Sequence, residues 1–484
     1  MAVLAVDLMP VPKYYAAVTG LVGLFASIIP LLTLALCSEL SFCSDNGARL
    51  LFGDSYVVDT FSLVLKGLFL VSAFISLLLA VGYVESDRYY QGEYYFLLLA
   101  SVFGAVVMAS SRDLISIFVG LELVSGPAFL LAGWRKGDAR SNEAALKFFI
   151  VGVLSAAILL FGMSLIYGVT GELTFSGIRA ATVGGELPAV FTLGVLFVLM
   201  GFAFKVSAVP FHFWTPDTYE GAPTPVTAYL SVGSKAAGFV GLLVICYSAF
   251  ANMRDIWGPA LWIIAVASMT LGNLIAVRQT NVIRLLGYSS IAQGGFMLAP
   301  FAVASMVEGV ELEGALFATV TYLLFYAFMN LGAFGVVMAG MSKVKSAELS
   351  SWSGMAQYAP GLSMLVVIFF FALAGVPPLA GWFAKLVMFQ AIISGAPNVW
   401  AVLLGVIAAV NAVVAFFYYA KVVKTVWMDS VPVEIPAAEL GGSGLNPALA
   451  LALGITAIAT IVTGLFPGVL SFFGEATRTF ASGF

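Results

Sequence analysis

Apolar runs of membrane-spanning length recur along the whole chain, each bounded by polar residues or by Gly and Pro. A helix needs about 20 such residues to cross a bilayer's hydrocarbon core, and thirteen stretches fit. They fall near 14–37, 60–83, 93–110, 113–134, 144–168, 188–221, 223–250, 258–277, 281–303, 312–340, 359–393, 398–427 and 447–473. Two are too long for one straight helix and carry an internal break. The first holds Val209-Pro210 followed by the polar run His212–Gly221; the second holds Gly375-Val376-Pro377-Pro378. Proline removes a backbone donor and clashes with the preceding turn. At membrane depth such a break persists only against protein or a wet cavity. The pattern predicts an all-α polytopic membrane protein with about 13 transmembrane helices.

The cations set an expected topology. With the first span starting on the cytoplasmic side, eleven of the 21 Lys and Arg fall cytoplasmic: Lys13, Arg88, Arg135, Lys136, Arg140, Arg278, Arg284, Lys343, Lys345, Lys421 and Lys424. Five fall outside, namely Arg49, Arg112, Arg179, Arg254 and Arg478, together with the acidic loop Glu308, Glu311, Glu313. This bias follows the positive-inside rule and predicts a cytoplasmic N-terminus and an outer C-terminus. Met1–Pro12 lacks the basic start and the apolar length of a signal peptide.

The other five cations, Lys66, Lys147, Lys205, Lys235 and Lys385, sit within spans. A charge at mid-membrane costs about 2.5–3.5 kcal/mol on insertion scales, so several in one chain point to an interior ion path. Lys205 lies five residues before Pro210, Lys235 about halfway along 223–250, and Lys385 about two turns past Pro377-Pro378. Glu122, central in 113–134, is the only carboxylate at such depth. Blander readings stand beside these. Lys66 and Lys147 are within snorkelling reach of an interface, a structural ion pair is the bland alternative for the deep lysines and Glu122, and His212 suits a packing role beside a helix break.

Lysine fits proton relay because burial loosens an ammonium's hold on its proton and a nearby carboxylate tightens it. At about 8 Å, with an effective dielectric near 20, that attraction is roughly 2 kcal/mol. Moving one charge against 100 mV takes about 2.3 kcal/mol, so a Glu–Lys pair that tightens and loosens is strong enough to load and unload a proton. Two broken helices, each flanked by a lysine, also suggest an internal duplication of the kind seen in transporters.

Composition narrows the classes. Residues are 61% hydrophobic and 10% charged, against about 25% charged in soluble domains. Cys37, Cys43 and Cys246 form no CxxC pair, which argues against zinc, an iron–sulfur cluster or a disulfide framework. One histidine builds no metal or haem cage. No basic tract suits nucleic acid.

The run Phe204-Lys205-Val206-Ser207-Ala208-Val209-Pro210-Phe211-His212-Phe213-Trp214-Thr215-Pro216-Asp217-Thr218-Tyr219-Glu220-Gly221-Ala222-Pro223-Thr224-Pro225-Val226 closely resembles the broken-helix signature of subunit N of NADH-quinone oxidoreductase, respiratory complex I. Ser234-Lys235, Gly272-Asn273-Leu274-Ile275-Ala276 with Gln279-Thr280-Asn281, and Arg284-Leu285-Leu286-Gly287-Tyr288-Ser289-Ser290-Ile291 are similar too. Leu373-Ala374-Gly375-Val376-Pro377-Pro378 with Lys385 resembles the family's second broken helix. The resemblance runs from roughly Asp59 to Pro467.

The resemblance implies that Glu122 pairs with Lys205, that Lys235 is the central relay lysine, and that Lys385 feeds the exit half-channel. It places Lys147 and His212 on the hydrophilic axis. It implies two inverted five-helix repeats, 93–250 and 258–427, after N-terminal helices in 1–92 and before a C-terminal loop and last helix in 428–484. NADH, FMN, the iron–sulfur clusters and the quinone belong to partner subunits in this family, and no cofactor to this chain. Expected neighbours are the M-type antiporter-like and K-type subunits in the bacterial cytoplasmic (inner) membrane, with protons as the cargo. The M-type subunit resembles this chain but has a glutamate in place of Lys385. The L-type carries a long lateral helix for which nothing remains after Phe484. Bacterial members usually have fourteen spans, and Val6-Asp7-Leu8-Met9-Pro10 looks like the tail of the first; a late start codon or a lost helix explains that. Rival functions are an Mrp-type cation/proton antiporter subunit, the equivalent subunit of a ferredoxin- or deazaflavin-driven relative, and a membrane scaffold.

Overall fold

The computed structural model describes residues 1–35, 48–85, 92–184, 187–395, 398–431, 445–478 and 480. Cys37, Cys43, Arg88 and Phe484 lie outside the described residues. The short α1, Ala2–Asp7, leads into α2 (Tyr14–Ala35), α3 (Thr60–Glu85), α4 (Glu93–Ser110), α5 (Leu114–Ala132) and α6 (Ala139–Thr170). After a short α7 (Phe175–Ala181) come α8 (Ala189–Lys205) and α9 (Trp214–Gly221), and then α10 (Thr224–Ala249), which contains two π-helical turns. The second half holds α11 (Arg254–Ala276), α12 (Val282–Val303), α13 (Gly309–Val344), α14 (Pro360–Ala374), α15 (Ala380–Ser394), α16 (Val399–Met428), α17 (Pro447–Leu465) and α18 (Gly468–Glu475). The only strands among the described residues are β1 (Arg49–Leu51) and β2 (Tyr56–Val58), a small antiparallel hairpin.

Among the described residues each predicted stretch is largely helical, yet only ten single helices are long and apolar enough to cross a bilayer alone. The three others fall short through a break that leaves their helices too short or through polar interruption. Two are the broken stretches, α8 with α9 and α14 with α15. The third is α12, whose apolar run is interrupted by Arg284, Ser289, Ser290 and Gln293. Side-chain caps fix many helix starts: Asp113 accepts from the Ile115 and Ser116 amides, and Asn281 from those of Ile283 and Arg284.

The breaks close in similar ways. Past Lys205, Ser207 takes a left-handed φ of 59° and Val209-Pro210 is cis. The freed Val209 amide donates to the Ser268 hydroxyl on α11 at 3.0 Å. At the second break Gly375, at φ 88°, ends α14, and Pro377-Pro378 is cis. Helix ends leave carbonyls without partners inside the helix, and in lipid each must find one within the protein. Here they find side chains: Gln293 Nε2 donates to the Leu373 carbonyl at 3.0 Å and Lys385 Nζ to that of Ala374 at 2.5 Å.

α10, α12 and α13 form the buried centre. Stripes of exposed apolar residues mark the lipid-facing helices, such as Val22, Phe25 and Ile29 on α2 and Val406, Val410, Val413 and Phe417 on α16. Contacts sort the loops into two ends. At one, Arg112 donates its amide to Ser55, Asp113 bridges Thr174, Asn252 donates to the Arg179 carbonyl, and Arg254 to that of Val307. At the other, Gly92 donates to Asp7, Arg135 lies over Tyr83, Asn281 bridges Glu348, and Gly354 donates to Thr425.

Candidate functional site

Four of the six residues singled out by the sequence lie along one buried polar line. It begins on α5, where Glu122 and Ser125 stand one turn apart on a shared face. Lys205, the last residue of α8 and 2% exposed, donates to the Ser125 hydroxyl at 2.9 Å. Glu122 is half-buried and acts on the Lys205 ammonium through space; the direct contact is with Ser125.

From Lys205 to Lys235 the line is joined by close packing. A Cβ added at Gly238, one turn past Lys235, would lie 2.9 Å from Lys205 Cγ. One added at Gly294 on α12 would lie 3.3 Å from the Val206 carbonyl and 4.0 Å from Lys235 Nζ. Glycine at these two positions lets the end of α8, α10 and α12 pack closely beside the two lysines. Lys235 is 1% exposed and donates to both the hydroxyl and the carbonyl of Ser290, at 2.6 and 2.7 Å.

Hydrogen bonds carry the line onward. Ser289, next to Ser290, bonds the Tyr419 hydroxyl of α16. Gln293 donates to that same hydroxyl at 3.2 Å and to the Leu373 carbonyl at 3.0 Å, while accepting from Tyr322 at 2.6 Å. The next carbonyl, of Ala374, accepts from Lys385. That ammonium also lies 5.3 Å from the Phe296 ring centroid, a cation–π distance, and at the negative end of the α14 dipole. Seryl hydroxyls both donate and accept, so Ser125 and Ser290 can serve a lysine in either protonation state.

The other two residues are elsewhere. Lys147 sits at the rim, 43% exposed, bonded to Glu143 at 2.7 Å and Asp217 at 2.6 Å. Asp217 also holds Arg284 at 2.8 Å, and Arg284 reaches Glu220 at 2.8 Å. This network ties α6 and α9 to α12. His212 lies buried in the first break, its ring packed 4.6 Å from that of Phe213.

Sequence reasoning gave no role to Asp217, Glu220, Arg284, Gln293 or Tyr419. The signal available for Gln293 was its position one turn after Ser289-Ser290 in an otherwise apolar run. Asp217 and Arg284 lie 67 residues apart, and nothing local announces their pairing. Among the described residues no group of three or more His, Cys, Asp or Glu side chains is placed to hold a metal ion.

Residues 111–411 match the family model described as "NADH:quinone oxidoreductase/Mrp antiporter, TM". The chain is 38% identical over 427 residues to NADH-quinone oxidoreductase subunit N of Trichlorobacter lovleyi, covering 88% of this chain and 84% of that one. A chain of respiratory complex I from Thermus thermophilus superposes with a TM-score of 0.74 at 30% identity, covering 97% of this chain and 98% of the other. A chain of the Mrp complex from Dietzia shares the fold, with a TM-score of 0.80 at 20% identity over 100% and 93% of the two chains. This polytopic bundle with its lysine line therefore belongs to the subunit N family of NADH-quinone oxidoreductase, within the NADH:quinone oxidoreductase/Mrp antiporter membrane proteins.

Proposed function

We propose that this chain translocates protons as a subunit of a respiratory complex I, relaying them through Glu122, Lys205, Lys235 and Lys385 while quinone reduction proceeds in other subunits. The observation that carries this reading is the unbroken burial of the line from Ser125 to Ala374. Four ionisable groups held inside an apolar bundle are costly in a membrane, and relay explains why all four share one path. Lys147 and the Asp217–Arg284 network stand at one end of the bundle, where a proton would enter; His212 serves the hydrophilic axis beside the first break.

In this reading NADH, FMN, the iron–sulfur clusters and the quinone belong to partner subunits, this chain holds no cofactor, and its neighbours include the M-type and K-type subunits. The end rich in Lys and Arg faces the cytoplasm of a bacterial inner membrane, with the N-terminus inside and the C-terminus outside. Segments 93–250 and 258–427 form two inverted five-helix repeats, each with a broken helix.

The test is Lys235→Ala in the assembled complex, with NADH-driven acidification followed in membrane vesicles. Loss of acidification with assembly intact is expected; unchanged pumping would leave only a scaffold. A second reading, a subunit of an Mrp-type antiporter, is favoured by the full-length match to the Dietzia chain. It requires proton movement driven by a sodium gradient in vesicles given no NADH.

A further inference from the structure

Lys66 takes no part in the lysine line. It lies on α3 and is only 7% exposed, and its ammonium donates to the Tyr56 hydroxyl at 3.2 Å, 5.0 Å from that ring's centroid. No carboxylate pairs with it among the described residues. Six residues into α3, its Cα lies about 9 Å beyond the first residue of the helix. The side chain turns back toward the hairpin of β1 and β2, at the level of lipid headgroups.

Beside it runs a cleft of about 460 Å³ between α2, α3 and α4, with Met1–Val3 along one side. Gly20, Gly23, Leu31, Leu34, Leu99 and Phe103 are among its walls, and among the described residues Lys66 is the only charged side chain lining it. Thr19 and Ser27 also line it, but their hydroxyls bond carbonyls of their own helix. From Leu34, near Lys66, to Gly20 the cleft extends about 21 Å along α2. One leaflet's hydrocarbon is about 15 Å deep, so the slot has the length of a lipid chain. Its flank is open to the bilayer, where Ser27, Pro30, Leu34 and Phe103 of its lining are exposed.

We propose that this cleft binds one acyl chain of an anionic phospholipid, whose headgroup phosphate pairs with Lys66. The described residues give the Lys66 ammonium no carboxylate, which leaves it open to an anion, and an apolar slot ending at that cation selects an amphiphile with a negative head. A second protein segment filling the slot would leave the ammonium unpaired unless it brought its own carboxylate.

The test uses the full chain in native-complex nanodiscs containing phosphatidylglycerol or phosphatidylcholine with a diazirine in the acyl chain. Phosphatidylglycerol is expected to label peptides from α2, α3 and α4, with a preference over phosphatidylcholine of about fivefold, the scale of one cation at an anionic surface. Lys66→Gln should abolish that preference. Gly23→Phe should remove the labelling altogether; a Cβ there meets nothing within 4 Å, so the ring enters the cleft and leaves the helix packing alone. Equal labelling by both lipids that Lys66→Gln does not change would overturn the headgroup assignment. Labelling that Gly23→Phe leaves intact, or a neighbouring subunit's peptide crosslinked in place of lipid, would overturn the site itself.

Discussion

Lys235 holds both the hydroxyl and the carbonyl of Ser290, so one residue of α12 supplies both hydrogen-bonded acceptors of a nearly inaccessible ammonium. Ser290→Ala keeps the carbonyl and removes the only partner that can also donate. Hydrogen bonds to charged groups contribute about 1.5–3 kcal/mol. The variant is expected to assemble, with NADH-driven proton pumping in vesicles reduced at least tenfold. Normal pumping by Ser290→Ala would mean that the Lys235 proton does not pass through this hydroxyl.

Glu122 and Lys205 are coupled without touching, because Ser125 takes the direct bond. Such a pair can be strengthened or weakened by a small movement of α5 against α8, which suits a switch better than a locked ion pair. Glu122→Ala and Lys205→Ala are each expected to impair pumping and coupled oxidoreductase activity several-fold without blocking assembly. Because Glu122 acts on Lys205 through space, the double variant should lose less than the two single losses combined. The switch is refuted should both single variants acidify vesicles at the parental rate.

The span pattern was legible because lipid demands long apolar helices, and the breaks because Val209-Pro210 and Pro377-Pro378 cannot continue one. Lys205, Lys235 and Lys385 stood out because a charge in oil has few explanations. The links between them were not legible. Gln293, Tyr322 and Tyr419 come from three helices, and a tyrosine in a membrane span reads equally as core. Lys147 was drawn toward the axis by resemblance, yet one turn from its loop it finds Glu143 and Asp217 at the rim.

Gln293 connects the Lys235 end of the line to the Lys385 end through Tyr419, Tyr322 and the Leu373 carbonyl. Gln293→Leu keeps the volume and strands Tyr322 and the Leu373 carbonyl, each at about 1–3 kcal/mol, while Tyr419 keeps its bond to Ser289. Pumping is expected to fall at least tenfold. Tyr322→Phe removes one bond to the same glutamine but leaves Tyr419 and Leu373 joined, so it should retain most activity. Equal losses in the two variants would mark the network as structural.

The rim network joins helices from the two halves of the chain, since Asp217 on α9 holds Lys147 on α6 and Arg284 on α12. Its members are 28–43% exposed apart from Glu143, at 63%, and such pairs contribute only about 0–1 kcal/mol each. Asp217→Asn is therefore expected to lower the detergent melting temperature slightly, and the difference should shrink as salt rises. A large, salt-independent loss would show that Asp217 packs the break and does more than pair charges.

Packing at the second break gives the sharpest contrast between two glycines. A Cβ at Gly381, in the first turn of α15, would fall 1.8 Å from the Ala372 carbonyl oxygen of α14, a backbone atom that cannot turn away. To admit it, α15 has to move off α14, and Lys385, one turn further along, moves with it away from the Ala374 carbonyl. Overpacking of this kind costs about 1–3 kcal/mol, so Gly381→Ala should lower the melting temperature and cut pumping together. Gly454 on α17 is the control, because a Cβ there meets nothing within 4 Å. Alanine forms helix better than glycine by about 1 kcal/mol, so Gly454→Ala should melt no lower than the parent and pump at its rate. If Gly381→Ala melts and pumps like Gly454→Ala, α14 and α15 are not held at the approach described, and the position of Lys385 does not depend on it.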